Sequence, residues 1–157
     1  MQELIGQAKQ TLVMSKDRFL RTFSFVPDDK LTWSPSPTAK SALQIAAHVG
    51  LSNQGMGGLI SGQKFAFGSM EEMFRFMDGE EKKVQSRDEA VRLIEQGTNT
   101  ALAALDTVTP ERLAGDAGLP MPMPLSQFVM LLGAHVASHA AQIDYLQTTW
   151  GDRENHF

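Results

Sequence analysis

The chain has 157 residues, 42% hydrophobic and 20% charged, with 14 Lys and Arg against 18 Asp and Glu and a formal net charge of -4. That is enough chain for a core of its own, read as a single domain over 1–157, and it excludes an extended disordered polymer. It also offers no basic surface to a polyanion, so no nucleic-acid partner is expected, and the absence of cysteine leaves only His, Asp and Glu to build a metal site.

The N-terminal residues lack the basic and apolar pattern of a signal peptide. The longest apolar stretches, 128–132 and 134–141, are short and interrupted by Gly, Ser and His. No membrane span and a cytoplasmic location are therefore expected.

The first helical period runs through Leu4, Ala8, Leu12, Ser15, Phe19 and Phe23, spaced by three or four, and Pro27 ends it. Residues 27–40 hold Pro35 and Pro37 without a period and are read as a crossover loop. Ser41 and Gln44 form a capping-box pair at the start of the second helix, whose inward stripe reads Ile45, His48, Ser52, Gly55, Leu59. Glycines at 50, 55, 57 and 58 weaken its second half, so that part frays or packs closely on a neighbour. Ser69 with Glu72 introduces a short inserted helix over 70–77, and Glu80 to Lys83 reads as a solvated linker.

Ser86 with Glu89 starts the next long helix, with the stripe Ala90, Ile94, Thr98, Ala101, Leu105. Thr109 and Pro110 suit the N-cap and first turn of one brief helix, and 115–124, with three prolines and two glycines, is a loop. The last helix runs from about Leu125 to Trp150, with Gly151 as its C-terminal cap. Nothing reads as a strand. Four long helices with a long crossover at 26–40 and short inserted helices make an all-α fold, a four-helix bundle.

On the last helix the stripe Phe128, Leu132, His135, His139, Gln142, Leu146 puts two histidines one turn apart on the core side. His48 holds the corresponding seam position on the second helix, while His156 falls in the tail. A lone seam histidine is more often a hydrogen-bonded core residue. Three imidazoles in a low-dielectric core, however, need either several partners or one metal that satisfies them all.

Three nitrogen ligands leave a coordination position open, as in catalytic sites. They suit zinc, nickel, iron, cobalt or copper, and the ligand set alone does not choose among them; zinc or nickel is the expected occupant. Gln142 and Ser52 are the candidates for orienting a ligand or contacting substrate, with Asn53 and Ser138 weaker ones; no general base is evident and no catalytic residue is assigned. The segment from His135 to His139 has no glutamate after the first histidine, which sets it apart from zincin proteases.

The remaining features read mainly as packing. Phe65, Phe67, Met70, Met73, Phe74, Phe76 and Met77 form an apolar cluster that covers an open end of the bundle or lies in a dimer contact. Trp33 and Trp150 anchor irregular chain, and Tyr145 packs with its hydroxyl at the rim.

The segments "LTWSPSPTAKSALQIAAH", ending in His48, and "HVASHAAQIDYLQTTWG", holding His135, His139 and Gln142, resemble the DinB-like (YfiT-type) helical bundles over nearly the whole chain. The resemblance implies an up-up-down-down bundle, often a homodimer, with a three-histidine site for a divalent metal carried here by His48, His135 and His139. Many members have an arginine directly after the last ligand, where this chain has Ala140. Characterised members include transferases that use low-molecular-weight thiols such as bacillithiol, and mycothiol-dependent isomerases. The expected function is therefore that of a metal-dependent thiol S-transferase acting on a small molecule. The alternatives are a metal-dependent hydrolase and a non-enzymatic, stress-related bundle with a structural metal.

Overall fold

Each long helix forms along an apolar stripe at helical spacing, and two of the four begin after a serine whose side chain satisfies one of the first orphan amides. In the computed structural model, which describes residues 1–156, α1 spans Gln2–Ser24, α2 Ala42–Ile60, α3 Met70–Glu81, α4 Arg87–Asp106, α5 Pro110–Ala114 and α6 Leu125–Thr149, with one 3-10 turn at Asp28–Lys30. Ser41 and Gln44 make the full reciprocal capping box. Ser69 and Ser86 cap α3 and α4 in the same way, but Glu72 and Glu89 reach one residue further out, to the amides of Gly68 and Gln85.

One apolar cluster joins all four long helices. From α1 it takes Ala8, Leu12, Phe19 and Phe23, and from α4 Ala90, Ile94, Ala101 and Leu105, as the stripes require. Each fully buried Leu, Ile or Phe contributes about 1.5–3 kcal/mol of transfer free energy. Gly55 of the expected α2 stripe is instead exposed, because α2 is buried along a broader face that includes Val49, Gly50, Asn53 and Gly57.

The bundle is as expected; the direction of its helices is not. Thr11 and Leu12 lie against Gly133, and Thr22 hydrogen-bonds Asp144 and Gln147, so α1 and α6 run parallel. Gly50 meets Leu93 and Ile94, Asn53 donates to Thr98 at 3.2 Å, and Gly57 meets Ala101, so α2 and α4 are parallel too. Lys9 pairs with Asp106 while Arg87 donates to the Phe23 carbonyl at 2.7 Å, which makes α1 and α4 antiparallel. The order is up-down-down-up.

The connection that climbs the bundle is therefore 61–86, not 26–40. A twelve-residue helix such as α3 covers roughly 18 Å of that return. Residues 27–40 stay at one end, tied by the Leu43 amide donating to the Leu31 carbonyl at 2.9 Å. Arg87 closes the same end. Its guanidinium donates to the carbonyls of Phe23 and Val26 and to Asp28, and lies 5.2 Å from the Phe23 ring centre.

Trp33 and Trp150 meet edge to face at 5.7 Å, one from each irregular segment. His156 is not a loose tail residue: it is buried, stacks on Phe25 at 4.1 Å and bonds Asp152 at 2.8 Å. Phe65 packs on the core and Phe67 bridges it to Phe76, leaving Phe74 and Phe76 half exposed. No helix among the described residues is long and apolar enough to cross a membrane.

Backbone contact between α2 and α4 depends on glycine. A Cβ at Gly97 would stand on the carbonyl oxygen of Gly50, and one at Gly50 would come within 2.6–2.8 Å of the Leu93 and Ile94 backbone. Gly97→Ala is expected to destabilise the fold by about 1–3 kcal/mol despite the better helix former. Gly55→Ala, with nothing within 4 Å of its new Cβ, is expected to stabilise by roughly 0.5–1 kcal/mol. Urea unfolding of both variants checks the opposite signs.

Candidate metal centre

α2 and α6 run antiparallel and bring His48 against His135 and His139, one turn apart on α6. His135 Nε2 lies 3.2 Å from His48 Nε2 and 3.0 Å from His139 Nε2, and one ligand atom from each residue falls within 4.8 Å of the other two. A tetrahedral ion at 2.0–2.1 Å from each nitrogen needs N···N separations of about 3.3 Å, so small ring movements suffice.

The other ring nitrogens decide which atoms carry protons. His48 Nδ1 lies 2.7 Å from Glu81 Oε1 and His139 Nδ1 lies 2.7 Å from Gln142 Oε1. Both oxygens are acceptors, so both Nδ1 atoms donate and both Nε2 atoms present lone pairs to the centre. His135 Nδ1 is buried with no protein partner. Ser52 Oγ stands 3.3 Å from His48 Nε2 at the edge of the cluster.

A proton is a poor occupant of this centre. Burial, with added repulsion from His139 and His48, pushes His135 from its ordinary 6.5 down to about 3. Burial also lowers His139, against the raising effect of its bond to Gln142. Lowered in this way, His135 and His139 favour the neutral imidazole, which is the form a divalent metal requires. The donors, the fixed tautomers of His48 and His139 and the spacing fit such an ion.

Glu81 is the residue that sequence reasoning missed. Its side chain is 1% exposed, held between His48 and the Lys40 ammonium, whereas Glu80 to Lys83 reads in the sequence as a solvated linker. The correction has a plain cause: α3 continues past Met77 to Glu81. Glu81 follows Met73 and Met77 at four-residue spacing, a signal hidden once the helix is ended at 77. Lys40, just before the α2 N-cap, also approaches Asp78 at 3.7 Å.

Beside His139 opens a groove of about 600 Å³, lined chiefly by Pro35, Ile45, Ala141, Tyr145 and Leu146, with Lys40 at its edge. Tyr145 is 72% exposed there, so it forms a rim of the groove and does not pack inward. Ser138 lines the groove, its hydroxyl donating to the Ala134 carbonyl. Asn53 lies apart, bonded to Thr98. Ala140 is wholly buried in the apolar core.

Residues 11–143 match the family model of the DinB superfamily, and the chain belongs to that superfamily. Its fold is similar to the crystal structure of a DinB-like protein, YjoA, from Bacillus subtilis, with a TM-score of 0.68, 16% sequence identity and 96% of each chain covered. At that identity the likeness speaks for the fold alone. No curated protein matches the chain in sequence.

The lowered histidines set a pH dependence for the metal-free protein. An unfolded His135 takes up a proton below about 6.5, whereas the folded one resists until about 3, so the unfolded state binds more protons in that window. Stability is expected to be full above it and to fall steadily with acidification, His139 adding in the same direction. Urea midpoints between about pH 7 and about pH 4 measure the slope, and it should flatten in His135→Gln.

Proposed function

We propose that His48, His135 and His139 hold one divalent metal ion through their Nε2 atoms, and that the protein is a metal-dependent enzyme of small molecules, best read as a thiol S-transferase. The observation that carries this reading is the convergence of three Nε2 atoms, two of them stripped of protons by bonds made on the far side of the ring. Zinc or nickel is the expected ion, and a set of three imidazole nitrogens is equally compatible with iron, cobalt and copper. Bound there, such an ion supplies Lewis acidity and lowers the pKa of a coordinated thiol or water.

The chain's residues supply the rest. Three protein nitrogens leave a position for an outside ligand. Ile45, Leu146, Pro35 and Ala141 give the adjoining groove apolar walls that suit an apolar electrophile, and its volume is that of a small-molecule site. The chain has no cysteine, so the nucleophilic thiol would be brought as a low-molecular-weight cosubstrate.

Hydrolysis is less well served. It needs a base that faces the open position, and the carboxylate nearest the cluster, Glu81, is bonded to Nδ1 of His48, across the ring from the converging nitrogens. A thiol ionises much more readily than water and needs no such base.

Elemental analysis of untagged protein is expected to find about one divalent metal per chain, lost in His48→Ala and in His135→Ala. Metal content equal in all three would sink the site. A cobalt-substituted sample should gain a sulfur-to-metal charge-transfer band on adding a small thiol. A spectrum indifferent to thiols would remove the transferase reading and leave the metal site standing.

A further inference from the structure

We infer that Glu81 is a positioning residue for the metal site and that, through it, the docking of α3 on the bundle is coupled to metal binding. The inference rests on the three-histidine metal site proposed for this chain and adds to it a helix that contributes no ligand.

The geometry is specific. α3 has a single fully buried side chain, and it is this carboxylate, not a Phe or Met. Phe74 and Phe76 on the same helix stay half exposed, so apolar burial holds α3 only weakly. A buried carboxylate is costly unless each oxygen is paired. Here Oε1 accepts from His48 Nδ1 at 2.7 Å and Oε2 accepts from Lys40, which also reaches Asp78 of α3. Three segments thus meet at one carboxylate: the end of α3, the residue before the α2 cap, and α2 itself.

Two consequences follow from that arrangement. The bond from Nδ1 fixes the tautomer and ring plane of His48 and makes its Nε2 a stronger donor; loss of such a partner typically weakens metal affinity by roughly 10–100-fold. Linkage is reciprocal: if α3 docking favours the metal-ready His48, an ion on His48 must favour α3 docking by the same factor. Local opening of α3 would therefore be slower to appear in the metal-loaded protein.

The test compares wild type, Glu81→Gln and Lys40→Met/Glu81→Gln, the double variant removing the clash of a new amide with the lysine ammonium. Zinc affinity is measured by competition with a chromophoric chelator, the ligand field by the cobalt spectrum, and α3 docking by hydrogen exchange of the amides of residues 70–81 with and without zinc. Both variants are expected to bind zinc roughly 10–100-fold more weakly and to shift the cobalt bands. Zinc should slow exchange in α3 of the wild type and leave it unchanged in the variants. Folded variants with wild-type zinc affinity and cobalt spectrum would overturn the positioning role, and α3 exchange indifferent to zinc in the wild type would overturn the coupling. A wild type that binds no zinc, nickel or cobalt removes the metal reading and this inference together.

Discussion

Two helices can touch backbone to backbone only where neither carries a side chain, and α2 and α4 do so at Gly50 and Gly97. Much else depends on that contact. It sets the two helices side by side, and because they run parallel the chain leaving α2 at one end must return to the other before α4 can begin. The segment that makes this return contains α3, and the end of α3 is where Glu81 enters the core beside His48. Packing of small residues on one seam thus leads to a buried carboxylate on the next.

The site continues the same logic in electrostatic form. α2 and α6 bring three imidazoles to one point, and burial there opposes charge on His135 and His139. Their outward nitrogens are partnered at His48 and His139, and the partner chosen in each case is an oxygen that accepts. The Nε2 atoms of those two histidines are left with lone pairs facing the centre, next to a groove with largely apolar walls. Glu81 and Lys40 form a second layer of charge behind His48, the lysine also reaching the edge of the groove.

Membership of the DinB superfamily agrees with these observations at the level of the fold. It leaves the reaction to the chemistry of the site, where the residues argue more for holding an ion and an outside nucleophile than for protein-supplied base catalysis. The buried network of Thr22, Gln147 and Asp144 between α1 and α6 has a different role, fixing the register of the parallel pair that carries His135 and His139.

What the sequence determined by itself was periodic or local. Apolar stripes at three- and four-residue spacing gave the four long helices, serine caps gave the starts of α2, α3 and α4 and a threonine cap that of α5, and the spacing of His135 and His139 put two ligands on one face. Each rests on the geometry of a single helix. His48 joined them because it sits on a core stripe and matches a family pattern. The directions of the helices were decided only by tertiary structure, since parallel and antiparallel neighbours bury the same stripes. So was the role of Glu81: a carboxylate in a charged run looks solvated until the return of the chain places it between a lysine 41 residues away and a histidine 33 residues away. Local sequence carries no record of such distant pairings, and it is these that turn a charged helix end into part of the site.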